Sequence, residues 1–260
     1  MISNNDMINY NNLSETYEKR YDYDKHPQIS NAINNLIEKH QCKSILEVGA
    51  GTCYWLKSIF DKNTMRTGID ISLQMLLRSG KNLEENYLIN GDSHFLPFKS
   101  NAFDFIFCVN ALHHFRNKSK FFDEAISVLK KKGLIAIYTL DPRTKSDHWH
   151  IYDNFEGIYQ QDLNRFLSTK QIVQLLSITG FKNINVKKVE FISDDKTPIN
   201  VLNDPFLQKH GSSQMAMLSN KEYQRGINKI KEKIKTAKNK GKQLIFPVRL
   251  TMFEITGFKS

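Results

Sequence analysis

The chain has 260 residues, 40% hydrophobic and 11% aromatic, with a net charge of +10. That length suits one α/β domain with an elaboration, and that apolar content excludes a disordered chain. No apolar run could span a bilayer, residues 1–6 lack the basic-then-apolar order of a secretory signal, and three cysteines (Cys42, Cys53, Cys108) without a C-x-x-C pair read as reduced thiols of a cytoplasmic protein.

The charge is unevenly placed. From Leu218 to Ser260, eleven Lys and Arg face three acids. A solvated helix face accounts for this; binding of an anionic substrate or RNA is the other reading.

Residues 1–25, with Tyr10, Tyr17, Tyr21 and Tyr23, are expected to form an arm with a short helix over 15–20. Pro27, Ile29, Ala32, Ile33, Leu36 and Ile37 then repeat at helical spacing. A first strand over 44–48 runs into Gly49-Ala50-Gly51-Thr52-Cys53, and a helix follows with Trp55, Leu56, Ile59 and Phe60 on one side. A second strand, 65–69, ends at Asp70; Ser72 can cap a helix that stops near Gly80. A short strand over 87–90 leads to Gly91-Asp92, and 103–109 is a continuous apolar run, as for a strand covered on both faces. A helix over 119–130 is expected to turn Phe122, Ala125, Ile126 and Leu129 inward, with its terminal lysines complementing the helix dipole before Gly133. The next strand is 134–140. Strands and helices thus alternate five times, which predicts a doubly wound α/β fold.

After Asp141-Pro142 an aromatic, His-rich loop runs through Phe166. Ser168-x-x-Gln171 is a capping box opening a helix that closes at Gly180, and 181–192 alternates as a strand. A second capping box, Ser219-x-x-Glu222, opens a long helix with Tyr223, Ile227, Ile230, Ile234 and Ala237 on one stripe; 244–255 is the last strand. The insertion of about fifty residues before it is more plausibly a lid than a linker.

Doubly wound sheets bind ligands at the carboxyl ends of their strands. Those ends carry Glu47 with the glycine turn, Asp70, Asp92-Ser93, and Asn110-Ala111 followed by Leu112-His113-His114-Phe115. A backbone of Gly49 and Gly51 can approach a ligand closely. Asp70 lies 23 residues after Glu47, close to the spacing of a ribose-binding acid, and a carboxylate can accept from both ribose hydroxyls. By itself the turn fits a structural strand–helix connection equally well.

Six segments in order carry a resemblance: residues 45–52, Gly68-Ile69-Asp70-Ile71-Ser72, Gly91-Asp92 with Leu96-Pro97-Phe98, Phe103-Asp104, Ala111-Leu112-His113-His114-Phe115, and residues 129–133. Over about 40–140 the chain resembles the class I S-adenosylmethionine-dependent methyltransferases, in the broad type 11 group. The resemblance implies one Rossmann-like domain over 1–260: a mostly parallel seven-stranded sheet with an antiparallel last strand, an N-terminal helical arm (1–42), a cofactor-binding core (43–140) and an inserted helical lid. It implies S-adenosyl-L-methionine as cofactor. Gly49, Ala50 and Gly51 would pass beneath the methionine moiety and adenosine, and Glu47 would orient the amino group. Asp70, with Ile71, would bind the ribose; Asp92 with Ser93 would face the adenine amine; Asn110 and Ala111 would line the methionine end. Cys53 departs from the glycine common at its position.

The expected reaction is in-line methyl transfer to a small-molecule acceptor at O, N or C. Residues 141–166 and 193–242 would form the acceptor-side loop and lid, with His114, Trp149 and Tyr152 lining the pocket. Where the acceptor needs a general base, His148 or His150 is the candidate, as an imidazole titrating near neutrality. No metal is expected, since His113-His114 has no third ligand at local spacing. Two alternatives remain. One is a tRNA or RNA methyltransferase, because wobble-uridine tRNA methyltransferases share a similar His-His-Phe segment. The other is a non-catalytic S-adenosylmethionine-binding regulator. Neither the oligomeric state nor the acceptor is legible at this stage.

Overall fold

The computed structural model describes residues 27–79 and 86–260. The expected arm over 1–25 and the helix stop near Gly80 lie outside the described residues. In chain order the elements are α1 (Pro27–Lys39), β1 (Ser44–Val48), α2 (Tyr54–Lys57), β2 (Met65–Asp70), α3 (Leu73–Leu77), β3 (Asn86–Asn90), β4 (Phe103–Val109), α4 (Lys118–Val128), β5 (Leu129–Leu140), β6 (His148–Trp149), α5 (His150–Asn154), α6 (Ile158–Arg165), α7 (Thr169–Thr179), β7 (Lys182–Ser193), α8 (Ser213–Met217), α9 (Asn220–Asn239) and β8 (Val248–Phe258). They fall into two compact units. One holds Thr144–Asn164 and Phe191–Leu250; the other holds 27–143, Arg165–Glu190 and Thr251–Ser260.

The sheet of the larger unit has the order β3-β2-β1-β4-β5-β8, with β7 also paired to β8. Neighbours from β3 to β5 are parallel. β8 runs antiparallel to β5, from Leu134↔Phe258 to Leu140↔Met252. The mostly parallel, Rossmann-like sheet with an antiparallel last strand is therefore present. An eighth strand, the two-residue β6, pairs with the start of β8 where a loop was expected. Two residues are too few to show a period-2 pattern.

β1 is buried at all five positions, and β4 is buried at all but Asp104. On one face the sheet packs α4 and α7 through Phe121, Phe122, Ala125, Ile172 and Leu176. Asn117 caps α4 at Lys118, one residue before the expected start, and the predicted Ser168–Gln171 capping box opens α7, which closes on Gly180 at φ +106°.

Three boundaries differ from expectation. α2 is a single turn, because the Asn34 carboxamide donates to the Ser58 carbonyl and accepts from the Phe60 N–H, occupying backbone groups a longer helix would use. Phe60 is consequently exposed. α4 stops at Val128, so Lys130–Lys132 belong to β5 and do not complement the helix dipole. Lys130 instead pairs with Asp104 at 2.9 Å while Leu129 takes its place opposite Phe103. Finally β8 starts at Val248, not 244, since Pro247 has no N–H for the ladder.

The smaller unit contains β6, α5, α6 up to Asn164, α8 and α9. Its centre is Asp162, fully buried, whose Oδ2 accepts from the Tyr152 hydroxyl and the Gln214 amide, each at 2.9 Å. α9 opens on its predicted Ser219–Glu222 capping box, buries Ile230 fully and exposes most of its lysines. Gly226 in mid-helix accommodates Phe155: a Cβ there would stand 2.1 Å from the ring. No described helix is long and apolar enough to cross a membrane.

Candidate functional site

Between β1 and α2 the backbone makes three left-handed steps, at Gly49 (φ +76°), Gly51 (φ +54°) and Cys53 (φ +60°). The N–H groups of Gly49 and Ala50 both donate to the Ile69 carbonyl, at 2.9 and 3.1 Å, pinning the turn to the end of β2. A Cβ on Gly49 would lie 2.4 Å from the Ala111 Cβ, so the turn and the segment after β4 meet only because this residue is glycine. Cys53 accepts the left-handed conformation at a cost of roughly 1–2 kcal/mol, and burial pushes its thiol pKa up.

Two acids flank this turn. Glu47 is fully buried, and among the described residues neither carboxylate oxygen has a hydrogen bond of normal geometry. Burial raises its pKa well above the carboxylate range; the Leu56 N–H relieves this only in part, and Asp70 adds to it. Asp70 is better supplied. Its Oδ2 accepts from the Gly51 N–H and its Oδ1 from the Ser72 N–H, both at 2.8 Å. Burial still raises its pKa against the pull of those two donors.

After β3, Asp92 sits in a network that sequence reasoning missed. The Asn117 N–H donates to His94 Nε2 at 2.9 Å, which leaves the imidazole proton on Nδ1, directed at Asp92 Oδ1 2.5 Å away. The His94 N–H also donates to that oxygen, at 3.0 Å, and Arg116 reaches Oδ2 at 3.4 Å. Burial would raise the Asp92 pKa, but His94 and Arg116 outweigh it and hold the carboxyl below its usual range. The signal was the Asp-x-His spacing, which lets a side chain and its own backbone N–H share one acceptor.

At the end of β4, Asn110 is left-handed (φ +47°), its N–H donates to the Tyr138 carbonyl at 2.9 Å, and its Oδ1 is buried without a hydrogen bond among the described residues. The next turn carries His113, whose ring stacks on Phe166 (centroids 3.9 Å, 16°) and meets His114 at 3.9 Å. Burial first, then the positive groups His114, Arg165 and Lys118, push the His113 pKa well below its ordinary value. Sequence reading gave Phe166 no part in this stack.

The expected residues Glu47, Gly49, Ala50, Gly51, Asp70, Ile71, Asp92, Ser93, Asn110 and Ala111 thus lie at the carboxyl ends of β1–β4, parallel neighbours in one sheet. A buried acid whose oxygens have no hydrogen bond of normal geometry among the described residues, beside a backbone turn that excludes even a Cβ, fits a ligand carrying an ammonium group.

Comparison with known proteins agrees. A family model described as a methyltransferase domain matches residues 46–137. A crystal structure described as a methyltransferase of an antibiotic biosynthesis pathway from Anabaena variabilis superposes with a TM-score of 0.65 at 21% identity, covering 88% of this chain and 96% of its own. An uncharacterised protein of Methanocaldococcus jannaschii is 29% identical over 71% of this chain and 88% of its own length. Demethylmenaquinone methyltransferase of Thermotoga maritima is 32% identical over 45% of this chain and 59% of its own. The chain belongs to the class I S-adenosylmethionine-dependent methyltransferases. It is an enzyme, and its cofactor is S-adenosylmethionine; the reading of a non-catalytic binding protein is set aside.

The remaining candidates of this methyltransferase lie in the smaller unit. His148 is exposed, with Nε2 2.8 Å from an Asp153 carboxylate oxygen. His150 is buried, edge-on to Phe246, and neither ring nitrogen has a hydrogen bond among the described residues. Burial, with Lys196, Lys233 and His148 adding to it against Asp153, lowers its pKa to about 4. This corrects the expectation that His150 titrates near neutrality. Trp149 is buried, and Tyr152 is committed to Asp162. Among the described residues no group of three or more His, Cys, Asp or Glu is placed to hold a metal.

Proposed function

We propose that this methyltransferase acts on a small-molecule acceptor, methylating O, N or C. S-adenosylmethionine supplies an electrophilic methyl on a sulfonium, a good leaving group, so holding donor and acceptor in line supplies much of the acceleration. The observation that carries the donor assignment is the buried Glu47 carboxylate near Gly49, which has no hydrogen bond of normal geometry among the described residues. On this reading Glu47 holds the amino group, and Gly49, Ala50 and Gly51 pass beneath the methionine and adenosine. Asp70, with Ile71 beside it, takes the ribose hydroxyls, since each of its oxygens keeps a lone pair after accepting one N–H. Asp92 with Ser93 faces the adenine amine, and Asn110 and Ala111 line the methionine end.

On the acceptor side, the likeness to a protein named for demethylmenaquinone supports a small molecule. We assign His114, Trp149 and Tyr152 to acceptor recognition, with residues 141–166 and 193–242 as the acceptor-side loop and lid. His148, oriented by Asp153, is the general base where the acceptor needs one; His150, neutral down to about pH 4, is too weak a base for that task. Methylation of RNA is the second reading, favoured by the exposed lysines of α9. The two separate when the enzyme is incubated with labelled S-adenosylmethionine and either tRNA or a small-metabolite extract. We expect label in the extract; label entering only tRNA would sink the small-molecule reading.

A further inference from the structure

The smaller unit buries two polar side chains that its own fold leaves short of hydrogen bonds. His150 and Asn154 lie four residues apart on α5, so they share one helix face, and both are buried. Neither nitrogen of the His150 ring, nor the Asn154 Oδ1, has a hydrogen bond among the described residues. The backbone that carries them is firmly held. The His150 N–H donates to the Pro247 carbonyl at 2.8 Å, and the Asn154 carboxamide nitrogen donates to the His150 carbonyl at 2.6 Å. Between them, the Asp153 carbonyl accepts from the Lys229 ammonium at 2.7 Å. Three buried polar atoms on a fixed frame are a standing cost that a polar ligand removes.

What such a ligand carries follows from counting donors and acceptors. A neutral imidazole has one N–H and one bare nitrogen, and Oδ1 only accepts, so the face offers one donor and two hydrogen-bond acceptors. The ring stays neutral above about pH 4. A carboxylate, with acceptors only, would find a single N–H there. A cation is opposed by Lys196, Lys233 and His148, which act on the ring against Asp153 alone.

We propose that His150 and Asn154 bind a neutral group with two hydrogen-bond donors and one acceptor, a pair of adjacent hydroxyls or a primary carboxamide, on the methyl acceptor. The inference rests on the reading of the smaller unit as the acceptor side of a small-molecule enzyme, and names the group it selects. Two ligand hydrogens go to the bare imidazole nitrogen and to Asn154 Oδ1, and one ligand oxygen receives the imidazole N–H. No proton is transferred, so His150 sets specificity and is not a base.

The full-length enzyme, titrated by calorimetry with catechol, benzamide, toluene and benzoate, tests this, with the His150 ring resonances followed in parallel. Catechol, benzamide or both should bind with a dissociation constant of about a millimolar and shift those resonances saturably. Toluene, without polar groups, and benzoate, without donors, should bind at least roughly tenfold more weakly. His150→Phe and Asn154→Leu should each weaken the binding roughly tenfold, as for one lost hydrogen bond. Catechol binding alone identifies a diol, benzamide alone a carboxamide. Because Phe fills the site without a buried polar atom, His150→Phe should be at least as stable as the parent at pH 7. Neither polar probe binding, toluene or benzoate binding as tightly, or either variant binding like the parent overturns the proposal; so does a marked loss of stability in His150→Phe. The titration involves no S-adenosylmethionine, so its failure strikes this assignment alone, whereas label entering only tRNA strikes the small-molecule reading.

Discussion

The Asp70 carboxylate accepts the Gly51 N–H at 2.8 Å, so the acid at the end of β2 holds the shape of the turn after β1. Its other oxygen holds the Ser72 N–H, at the residue that caps α3. Asp70→Ala therefore removes more than a ribose contact: it leaves two backbone donors without acceptors. S-adenosylhomocysteine affinity, measured by calorimetry, should fall by about 1.5–3 kcal/mol, and stability should fall by a further ~1–2 kcal/mol. Unchanged affinity would show that the ribose site is elsewhere.

Glu47 predicts a proton linked to binding. Burial raises its folded pKa well above the carboxylate range, and an arriving ammonium favours the ionised form. Binding should release a proton, and affinity should rise with pH until the free enzyme is itself ionised. Calorimetry in buffers of different ionisation enthalpy reads this release directly, and Glu47→Gln should abolish it. For stability the sign is opposite to that of an ion-paired acid: a raised carboxyl pKa costs stability at high pH and returns it as pH falls through the folded value. Glu47→Gln should thus be no less stable than the parent at pH 8.

His150 works in the other direction. Its folded pKa of about 4 lies below the ordinary 6.5, so the unfolded chain binds the proton first. Stability is full above pH 6.5 and is lost as pH falls towards 4, by about 3 kcal/mol over that window. His150→Phe should flatten this part of the profile, seen as urea midpoints measured at pH 7 and pH 4.5. An equally steep profile in the variant would assign the loss to other groups.

His94 acts through Asp92. His94→Phe keeps a ring but removes both the donor to Asp92 and the acceptor for the Asn117 N–H. The KM for S-adenosylmethionine should rise about tenfold with kcat little changed, the pattern of lost ground-state binding. A fall in kcat at constant KM would place His94 in the chemistry instead.

Gly49→Ala combines a strained left-handed backbone with a Cβ 2.4 Å from Ala111. We expect a loss of about 2–4 kcal/mol in stability from strain plus overpacking, and no measurable cofactor binding. Gly51→Ala shares the strain at φ +54°, so a stable Gly49→Ala that binds normally would show that the contact with Ala111 is not obligatory.

What was legible follows from how local each signal is. The strands β1–β5, both capping boxes and Asp70 are written in short-range patterns of burial and hydrogen bonding, and they appear in the structure. The one-turn α2 was not legible, because Asn34, twenty-four residues away from Ser58, terminates it. Nor was the end of α4: Lys130 leaves the helix for Asp104, a partner twenty-six residues earlier. At the site, the strand-end residues were readable because topology alone places them. The Phe166–His113 stack and the inertness of His150 depend on tertiary packing and had no local signature.

Gly226 carries a consequence for the helix around it. The Phe155 ring lies where a Cβ would stand, and rotating α9 by one residue, about 100°, would drive Arg225 or Ile227 against that ring. α9 therefore cannot roll, and the azimuth of every side chain on it is set by an absent methyl group. Lys231, Lys235 and Lys238 are held exposed along one flank of its buried stripe, and Arg225 and Lys229 along the other. Residues four apart on such a helix are spaced about 6 Å along its axis. A fixed array of that kind holds its positive charges at constant intervals along the helix axis.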